Sequence, residues 1–229
     1  MLHRRPAVGI KEVNAVGLVQ APGENPLPGV ETDLKNLQAA FGKVKILQDQ
    51  QATVSGARSL LQRPGLLLLA THGFNEADQP LESFLILLPD AEKSRATDDV
   101  NDGKLRAKDI FDKPVGPDLV VMSACYTGLA DRSPLPGDDL FGLQRAFLFG
   151  GARTVIGGYW DVYDGTAPEL LGTTMKLLSQ KRGIGAALKQ SQIQFLSKCR
   201  ESDKAEPYLH PYFWAMYSLL GDERTGAGK

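Results

Sequence analysis

Cysteine is scarce in this sequence: Cys125 and Cys199 are the only two among 229 residues. Two widely separated cysteines exclude a disulfide-rich secreted scaffold. No apolar run reaches the roughly 18 residues that a membrane-spanning helix requires. The segment 7–20 contains Lys11 and Glu12 and therefore lacks the unbroken apolar stretch of a secretory signal. These absences predict a cytoplasmic protein with reduced thiols.

The chain also lacks a strong excess of either charge. Its formal net charge is -1, and its lysines and arginines are scattered without interleaved aromatic residues, which predicts no direct contact with nucleic acid or membrane. No pair of cysteines or histidines has the spacing of a zinc site, and no phosphate-binding or dinucleotide-binding glycine motif occurs. We therefore expect neither a metal nor a cofactor.

Apolar runs alternate with segments of helical periodicity, which predicts an α/β fold with a mainly parallel sheet. The length and the 42% hydrophobic content are sufficient for one good core. We predict a single domain over residues 1–229, with flexible ends at 1–14 and 223–229. The expected architecture is a three-layer αβα sandwich around a mostly parallel six-stranded sheet.

The predicted elements follow from period and composition. Strand patterns occur at 16–20, 44–47, 65–71, 85–88, 118–124, 154–160 and 212–220. Helical patterns occur at 32–41, 53–61, 140–149, 166–180 and 184–199. Thr32 and Asp33 are predicted to cap the first helix, and 90–103 is predicted to be a polar loop. The runs at 65–71 and 118–124 are almost wholly apolar, which is typical of central strands buried on both faces.

Reactive side chains follow both of these central strands. His72 comes directly after the first, and Cys125 directly after the second. Ligands gather at the carboxyl edge of an open parallel sheet, so we expect the imidazole and the thiol to share a cleft there. A neighbouring imidazole can accept the thiol proton and produce the nucleophilic thiolate. The N–H groups of Gly73 and Cys125 are candidates for an oxyanion hole.

The spacing and surroundings of these residues resemble a known family. His72 precedes Cys125 by about the 50 residues that separate the corresponding pair in caspases. Further matching segments are LATHGF at 69–74, DLVVMSACYTG at 118–128, LQRAFLFGGARTV at 143–155, YWDVYD at 159–164 and HPYFWAMYSLLGD at 210–222. Together they resemble the CHAT family of caspase-related bacterial domains. The departures are Tyr126, where the family often has Glu, a less acidic segment at 133–137, and a poor match over the first 30 residues.

The resemblance implies a caspase-haemoglobinase fold with His72 and Cys125 as a catalytic dyad. It implies a cysteine endopeptidase that performs limited proteolysis of a protein substrate in bacterial signalling or defence. It also implies control by a regulatory partner or sensor protein in trans, since an uncontrolled cytoplasmic peptidase would be harmful. The oligomeric state is not predicted.

Specificity is expected to depend on the residues after the 154–160 strand. In caspases a Trp-Arg pair at the corresponding strand helps to bind an acidic P1 side chain, whereas this chain has Trp160 and Asp161. Separase, which cleaves after arginine, has a similar Trp-Asp-Val-Thr-Asp stretch. We therefore predict a P1 pocket formed by Trp160, Asp161, Asp164 and Ser123 that accepts Arg or Lys. The alternative that both aspartates only cap loops stays open.

Two other functions also stay open. The chain could be a catalytically silent, caspase-like interaction module, although an intact His72, Gly73 and Cys125 favour an enzyme. Ser123 could be the nucleophile of a serine-type acyl hydrolase, but no Gly-x-Ser-x-Gly elbow surrounds it, and we expect it to support the strand end. Cys199 lies in a helical apolar pattern and is predicted to be a core residue.

Overall fold

The computed structural model describes residues 9–76, 78–91, 101–124, 141–202 and 207–226. These residues form nine strands and five α-helices. The strands are β1 (Val13–Gly17), β2 (Lys45–Gln48), β3 (Gly65–Ala70), β4 (Gly73–Phe74), β5 (Phe84–Ile86), β6 (Lys104–Arg106), β7 (Pro117–Ser123), β8 (Thr154–Gly158) and β9 (Tyr217–Gly221). The helices are α1 (Gly29–Phe41), α2 (Val54–Leu60), α3 (Phe141–Gly150), α4 (Ala167–Ser179) and α5 (Ile184–Arg200).

Six of the strands form a central sheet in the order β2-β1-β3-β7-β8-β9. The first five run parallel, and β9 is an antiparallel edge strand. Both β3 and β7 are apolar almost throughout and buried on both faces, as expected for the centre of a parallel sheet. The prediction of a mostly parallel six-stranded sheet is confirmed.

Two apolar clusters cover the faces of this sheet. One joins the sheet to α1, α4 and α5 through residues such as Leu34, Leu170 and Leu188. The other joins it to α2 and α3 through residues such as Leu60 and Phe147. Alternate residues of each strand point to opposite clusters, so one sheet supports both layers. The predicted three-layer sandwich is therefore present.

A second sheet was not foreseen. Strands β4, β5 and β6 form a small antiparallel sheet, so the strand predicted at 85–88 does not belong to the central sheet. Leu85 and Leu105 from this small sheet pack into the same cluster as α2 and α3. Strands of two or three residues carry too little periodicity to be recognised in a sequence.

Three predicted boundaries are wrong. β1 starts at Val13, so the segment 1–14 assigned to a flexible end is too long. The last strand starts at Tyr217, because Pro211–Phe213 forms a short 3-10 helix before it, and proline has no N–H for a strand ladder. α1 starts at Gly29, so Thr32 and Asp33 lie inside the helix and do not cap it.

The parallel strands give the sheet one carboxyl edge. The segments that follow β1, β3, β7 and β8 all leave from this edge, and the segment before β9 arrives there. Every side chain predicted to act in catalysis or substrate binding belongs to one of these strand ends or segments. Within the described part of the chain, no helix is both long and apolar enough to cross a membrane.

Candidate active site

The strands that lead to His72 and Cys125 are hydrogen-bonded neighbours. Ala70 of β3 and Ser123 of β7 are register partners, and the N–H of Thr71 donates to the carbonyl of Ser123 at 3.1 Å. The pairing therefore continues to the last position before His72. Ala124 is described, but Cys125 lies outside the described residues.

The imidazole of His72 is held in one orientation. Its Nε2 lies 2.8 Å from the backbone carbonyl oxygen of Asn25, in the segment after β1. A carbonyl oxygen only accepts hydrogen bonds, so Nε2 carries the hydrogen and the neutral ring has its lone pair on Nδ1. That Nδ1 is buried and has no hydrogen-bond partner among the described residues. Only 4% of His72 is exposed. The imidazole therefore directs Nε2 to Asn25 and leaves Nδ1 as its free ring nitrogen among the described contacts.

The N–H of Gly73, directly after His72, is a backbone donor that is not hydrogen-bonded to β5. The N–H of Ile86 donates to the carbonyl of His72 at 2.9 Å, which makes these two residues the hydrogen-bonded pair. The next pair, Gly73 and Leu85, is then of the non-hydrogen-bonded type. The N–H of Gly73 consequently points away from β5. It is suited to an outside acceptor.

Ser123 is hydrogen-bonded to Asp33, whose side chain was predicted to cap the first helix. Its hydroxyl donates to Oδ2 of Asp33 at 2.6 Å, and both residues are buried. Burial raises the pKa of Asp33 to about 7; the Ser123 hydrogen bond opposes this rise, and the nearby charge of Asp164 adds to it. The Ser123 hydroxyl thus stabilises the ionised Asp33, with no imidazole as its partner. This contact supports the end of β7.

The carboxylate of Asp164 accepts a hydrogen bond at the start of α1. Its Oδ2 accepts a hydrogen bond of 2.9 Å from the N–H of Gly29, the first residue of the helix. Pro28, at the N-cap position, provides no side-chain cap, so Asp164 supplies an acceptor and a negative charge at the positive end of the helix dipole. The loop-capping interpretation applies to this aspartate.

Asp161 has a different environment. Burial raises the pKa of its carboxyl, and its Oδ1 is buried without a hydrogen-bond partner among the described residues. Beside it, the Trp160 indole N–H donates to the Tyr212 carbonyl at 3.0 Å, and the two rings stack with centroids 6.4 Å apart. Trp160 therefore links the segment after β8, to which it belongs, to the segment before β9.

The loop after β8 returns to the end of β7. A Cβ added to Gly158 would lie 2.7 Å from Cγ2 of Val162, 3.1 Å from the Trp160 carbonyl oxygen and 3.4 Å from the Ala124 carbonyl oxygen. Gly158 thus lets the Trp160–Val162 turn approach the residue that precedes Cys125. The candidate specificity residues therefore leave the sheet beside Ala124, the last described residue after β7.

The structure thus brings His72, Gly73, Ser123, Trp160, Asp161 and Asp164 to one edge of the sheet. Sequence reasoning missed the Asn25 carbonyl, for which no sequence signal exists, and the buried role of Asp33. Asp33 occupies the same helical face as Val30 and Leu37, and that position could have identified it as buried. The described residues contain no group of three His, Cys, Asp or Glu side chains that could hold a metal ion.

Solved structures are similar to this chain in fold. The Arg-specific cysteine proteinase gingipain R gives a TM-score of 0.54 at 12% sequence identity, over 93% of this chain and 46% of that one. The complex of the RgpB pro- and mature domains from Porphyromonas gingivalis gives a TM-score of 0.51 at 11% identity, over 94% and 48%. The chain thus spans about half the length of these structures. Its fold is similar to that of gingipain R.

The family can be stated more closely. The chain belongs to the CHAT domain family, whose profile matches residues 4–222. The expectation that the first 30 residues match the family poorly is wrong, because the match begins at residue 4 and includes β1. Comparison with curated protein sequences finds no significant match.

Proposed function

We propose that the chain is a cysteine endopeptidase in which Cys125 is the nucleophile and His72 its proton acceptor. The observation that carries this proposal is the orientation of His72: Nε2 is bonded to Asn25, and the buried Nδ1 is left without a described partner. β3 and β7 are adjacent and in register up to Ala70 and Ser123, two residues before each candidate. This register supports Cys125 as the nucleophile whose proton Nδ1 would accept.

Each chemical step has a residue suited to it. The Cys125 thiol transfers its proton to Nδ1 of His72, and the thiolate attacks the scissile carbonyl carbon. The N–H groups of Gly73 and Cys125 stabilise the resulting oxyanion. The His72 imidazolium then protonates the leaving amine, which leaves a thioester on Cys125. Water attacks this thioester with His72 again accepting the proton, and the free thiol is restored.

The P1 residue is proposed to be Arg or Lys, with Asp161 as its partner. An incoming guanidinium or ammonium group would satisfy the unpartnered Oδ1 of Asp161 through a charge-assisted hydrogen bond. Asp164 is the weaker candidate, because Gly29 already donates to its Oδ2. Trp160 would form an apolar wall, and Ser123 would hold the floor near the end of β7. Gingipain R, which has the same fold, is Arg-specific.

The biological setting is also a proposal. We propose limited proteolysis of a partner protein in bacterial signalling or defence. We further propose cytoplasmic localisation and control by a regulatory or sensor protein in trans. These proposals come from the CHAT family resemblance and from the hazard of uncontrolled proteolysis. Identification of a protein cleaved by the wild type and not by Cys125→Ala on co-expression with candidate partners would test them.

A thiol-reactive peptide probe with Arg at P1 tests the chemistry. The wild type is expected to be labelled at Cys125, and labelling should be lost in Cys125→Ala and in His72→Ala. Cys199→Ser is the matched control: Cys199 is buried in α5, and its pKa is raised chiefly by that burial, so its removal should leave labelling unchanged.

The same variants separate the alternatives. A catalytically silent module would give equal, weak labelling in the wild type and in His72→Ala. A serine hydrolase would keep its activity in Cys125→Ala and lose it in Ser123→Ala. The bond from Ser123 to Asp33, instead of to a histidine, argues against that enzyme.

A further inference from the structure

A cavity of about 390 Å³ opens at the amino edge of the central sheet, opposite the candidate active site. It lies where β1, β2 and β3 begin, and none of the candidate active-site residues lines it. Its volume is at the lower end of the range of small-molecule sites, roughly 300–1,000 Å³. Its lining is unusually basic for a chain whose overall charge is close to zero.

Three lysines line this cavity: Lys11, Lys43 and Lys45. None of them pairs with a carboxylate among the described residues. The fourth cation, Arg63, bonds to Oε2 of Glu12 through Nη2 at 2.9 Å and Nε at 3.1 Å. The one carboxylate of the lining is therefore neutralised, and the three ammonium groups leave the cavity with an uncompensated positive charge.

A buried amide residue also borders the cavity. Asn14 of β1 lines the cavity and is only 1% exposed, yet its Nδ2 has no hydrogen-bond partner among the described residues. Asn14 is the register partner of Lys45, so the amide and one of the lysines lie on adjacent strands. A buried polar group without a partner costs stability, so the amide in this wall is a candidate donor to a ligand in the cavity.

We infer that this cavity binds a small organic phosphate. A lining with several donors matches a phosphate group, which offers three oxygens and up to two negative charges, better than a carboxylate, which offers two oxygens and one charge. Lysine is a common phosphate ligand. The apolar part of the lining, including Ile10, Val13 and Phe41, would contact the organic portion of the ligand. This site is independent of the proposed peptidase activity.

Calorimetric titration of the purified chain with phenyl phosphate tests the inference. We expect saturable binding that weakens as salt is added, and weaker binding of inorganic phosphate, which lacks the apolar portion. The double variant Lys43→Ala/Lys45→Ala should lower the affinity for phenyl phosphate by at least about tenfold. Lys198→Ala is the matched control, because its ammonium pairs with Glu169 at the start of α4 and does not line the cavity.

Asn14→Leu distinguishes a ligand site from a merely basic surface. Leucine is similar in size and removes an unpartnered buried amide, so the unfolding temperature should stay equal or rise while the affinity for phenyl phosphate falls. Both lysine variants alter exposed side chains and are expected to fold normally.

Four results would overturn the inference. These are no saturable binding of phenyl phosphate at millimolar concentration, equal weakening by Lys198→Ala, equal affinity for benzoate, and undiminished binding by Asn14→Leu. A separate co-sedimentation experiment measures binding to phosphatidylcholine vesicles that contain phosphatidic acid. Co-sedimentation with those vesicles in the absence of phenyl phosphate binding would assign the basic surface to a lipid headgroup and also overturn it.

Discussion

The hydroxyl of Ser123 donates a 2.6 Å hydrogen bond to Oδ2 of Asp33 and so joins the last residue of β7 to α1. Both side chains are buried, and burial raises the pKa of Asp33 to about 7. The carboxyl therefore changes its charge near neutral pH at the contact between a helix and the strand that leads to Cys125. Stability and the geometry of the strand end are linked through this one group.

The raised pKa predicts how the free energy of unfolding varies with pH. Between about pH 4 and about pH 7 the folded chain keeps a proton on Asp33 that the unfolded chain has released. The contribution of Asp33 to the free energy of unfolding is therefore largest below about pH 4. It falls as the pH rises to about 7 and does not change further above that pH. Urea unfolding across this pH range should show that the free energy of unfolding of the wild type falls by up to roughly 4 kcal/mol. Asp33→Asn should not show this fall.

Asp102→Asn provides the opposite control. Hydrogen bonding to Arg106 lowers the pKa of Asp102, so this group stabilises the fold at higher pH and loses that contribution as the pH falls through its folded-state pKa. Parallel curves for Asp33→Asn and the wild type would contradict the assignment of the titration to Asp33.

Ser123→Ala is expected to destabilise the chain without ending catalysis. The substitution removes the hydrogen bond that stabilises ionised Asp33 and leaves a buried carboxyl unpaired, at a cost of about 1–3 kcal/mol. Ser191→Ala is the comparison, because the Ser191 hydroxyl is also buried but donates to the neutral Leu170 carbonyl. Chemical denaturation should show the smaller loss for Ser191→Ala. Complete loss of peptide hydrolysis in folded Ser123→Ala would instead favour the serine-hydrolase alternative.

The hydrogen bond to Asn25 predicts the tautomer of His72. The neutral ring should carry its hydrogen on Nε2, because the carbonyl oxygen 2.8 Å away can only accept. Nitrogen-15 NMR of the Cys125→Ala chain would identify the protonated nitrogen. Asn25→Ala keeps the backbone carbonyl and should give the same tautomer. A dominant Nδ1–H form would mean that the lone pair is directed away from the proposed nucleophile.

Asp161 and Asp164 are predicted to respond differently to substitution. Asp161→Asn should lower kcat/KM for peptides with Arg at P1 by roughly 100-fold, because a charge-assisted hydrogen bond becomes a neutral one. Its stability should not fall, since burial disfavours the charged carboxyl. Asp164→Ala should instead cost about 1 kcal/mol of stability through the lost contact with Gly29. Kinetics with Arg and Asp peptides and thermal unfolding of both variants would check this. Preference of the wild type for Asp at P1 would end the proposal.

Long apolar runs made the central sheet predictable, because β3 and β7 have a pattern that is typical of a doubly covered parallel strand. From that sheet the common edge of His72, Ser123 and Trp160 followed through topology alone. The small sheet did not follow, because strands as short as Gly73–Phe74 are defined by their partners. The partner of His72 is a backbone carbonyl, which every residue type possesses.

Aspartate roles were harder to predict, because the same side chain caps helices, binds cations or becomes buried. Asp33 looked like an N-cap, yet the helix starts four residues earlier and receives its acceptor from Asp164, 135 residues further along the chain. Contacts of this kind depend on the packing of α1 against the loop after β8. Local pattern therefore located the site but did not assign its carboxyl groups.

Gly158→Ala tests whether the loop after β8 must lie close to the end of β7. The added methyl group would lie 2.7 Å from Cγ2 of Val162 and 3.1 Å from the Trp160 carbonyl oxygen, so the turn that carries Asp161 has to move outward. We expect destabilisation of about 1–3 kcal/mol, as for other overpacked sites. The kcat/KM for Arg peptides should fall more than probe labelling of Cys125, because the specificity loop shifts while His72 stays in place. Gly9→Ala, with no atom within 4 Å of the added Cβ, should affect neither activity readout. Equal loss of labelling and hydrolysis in Gly158→Ala would show that the loop supports the nucleophile and not the P1 pocket.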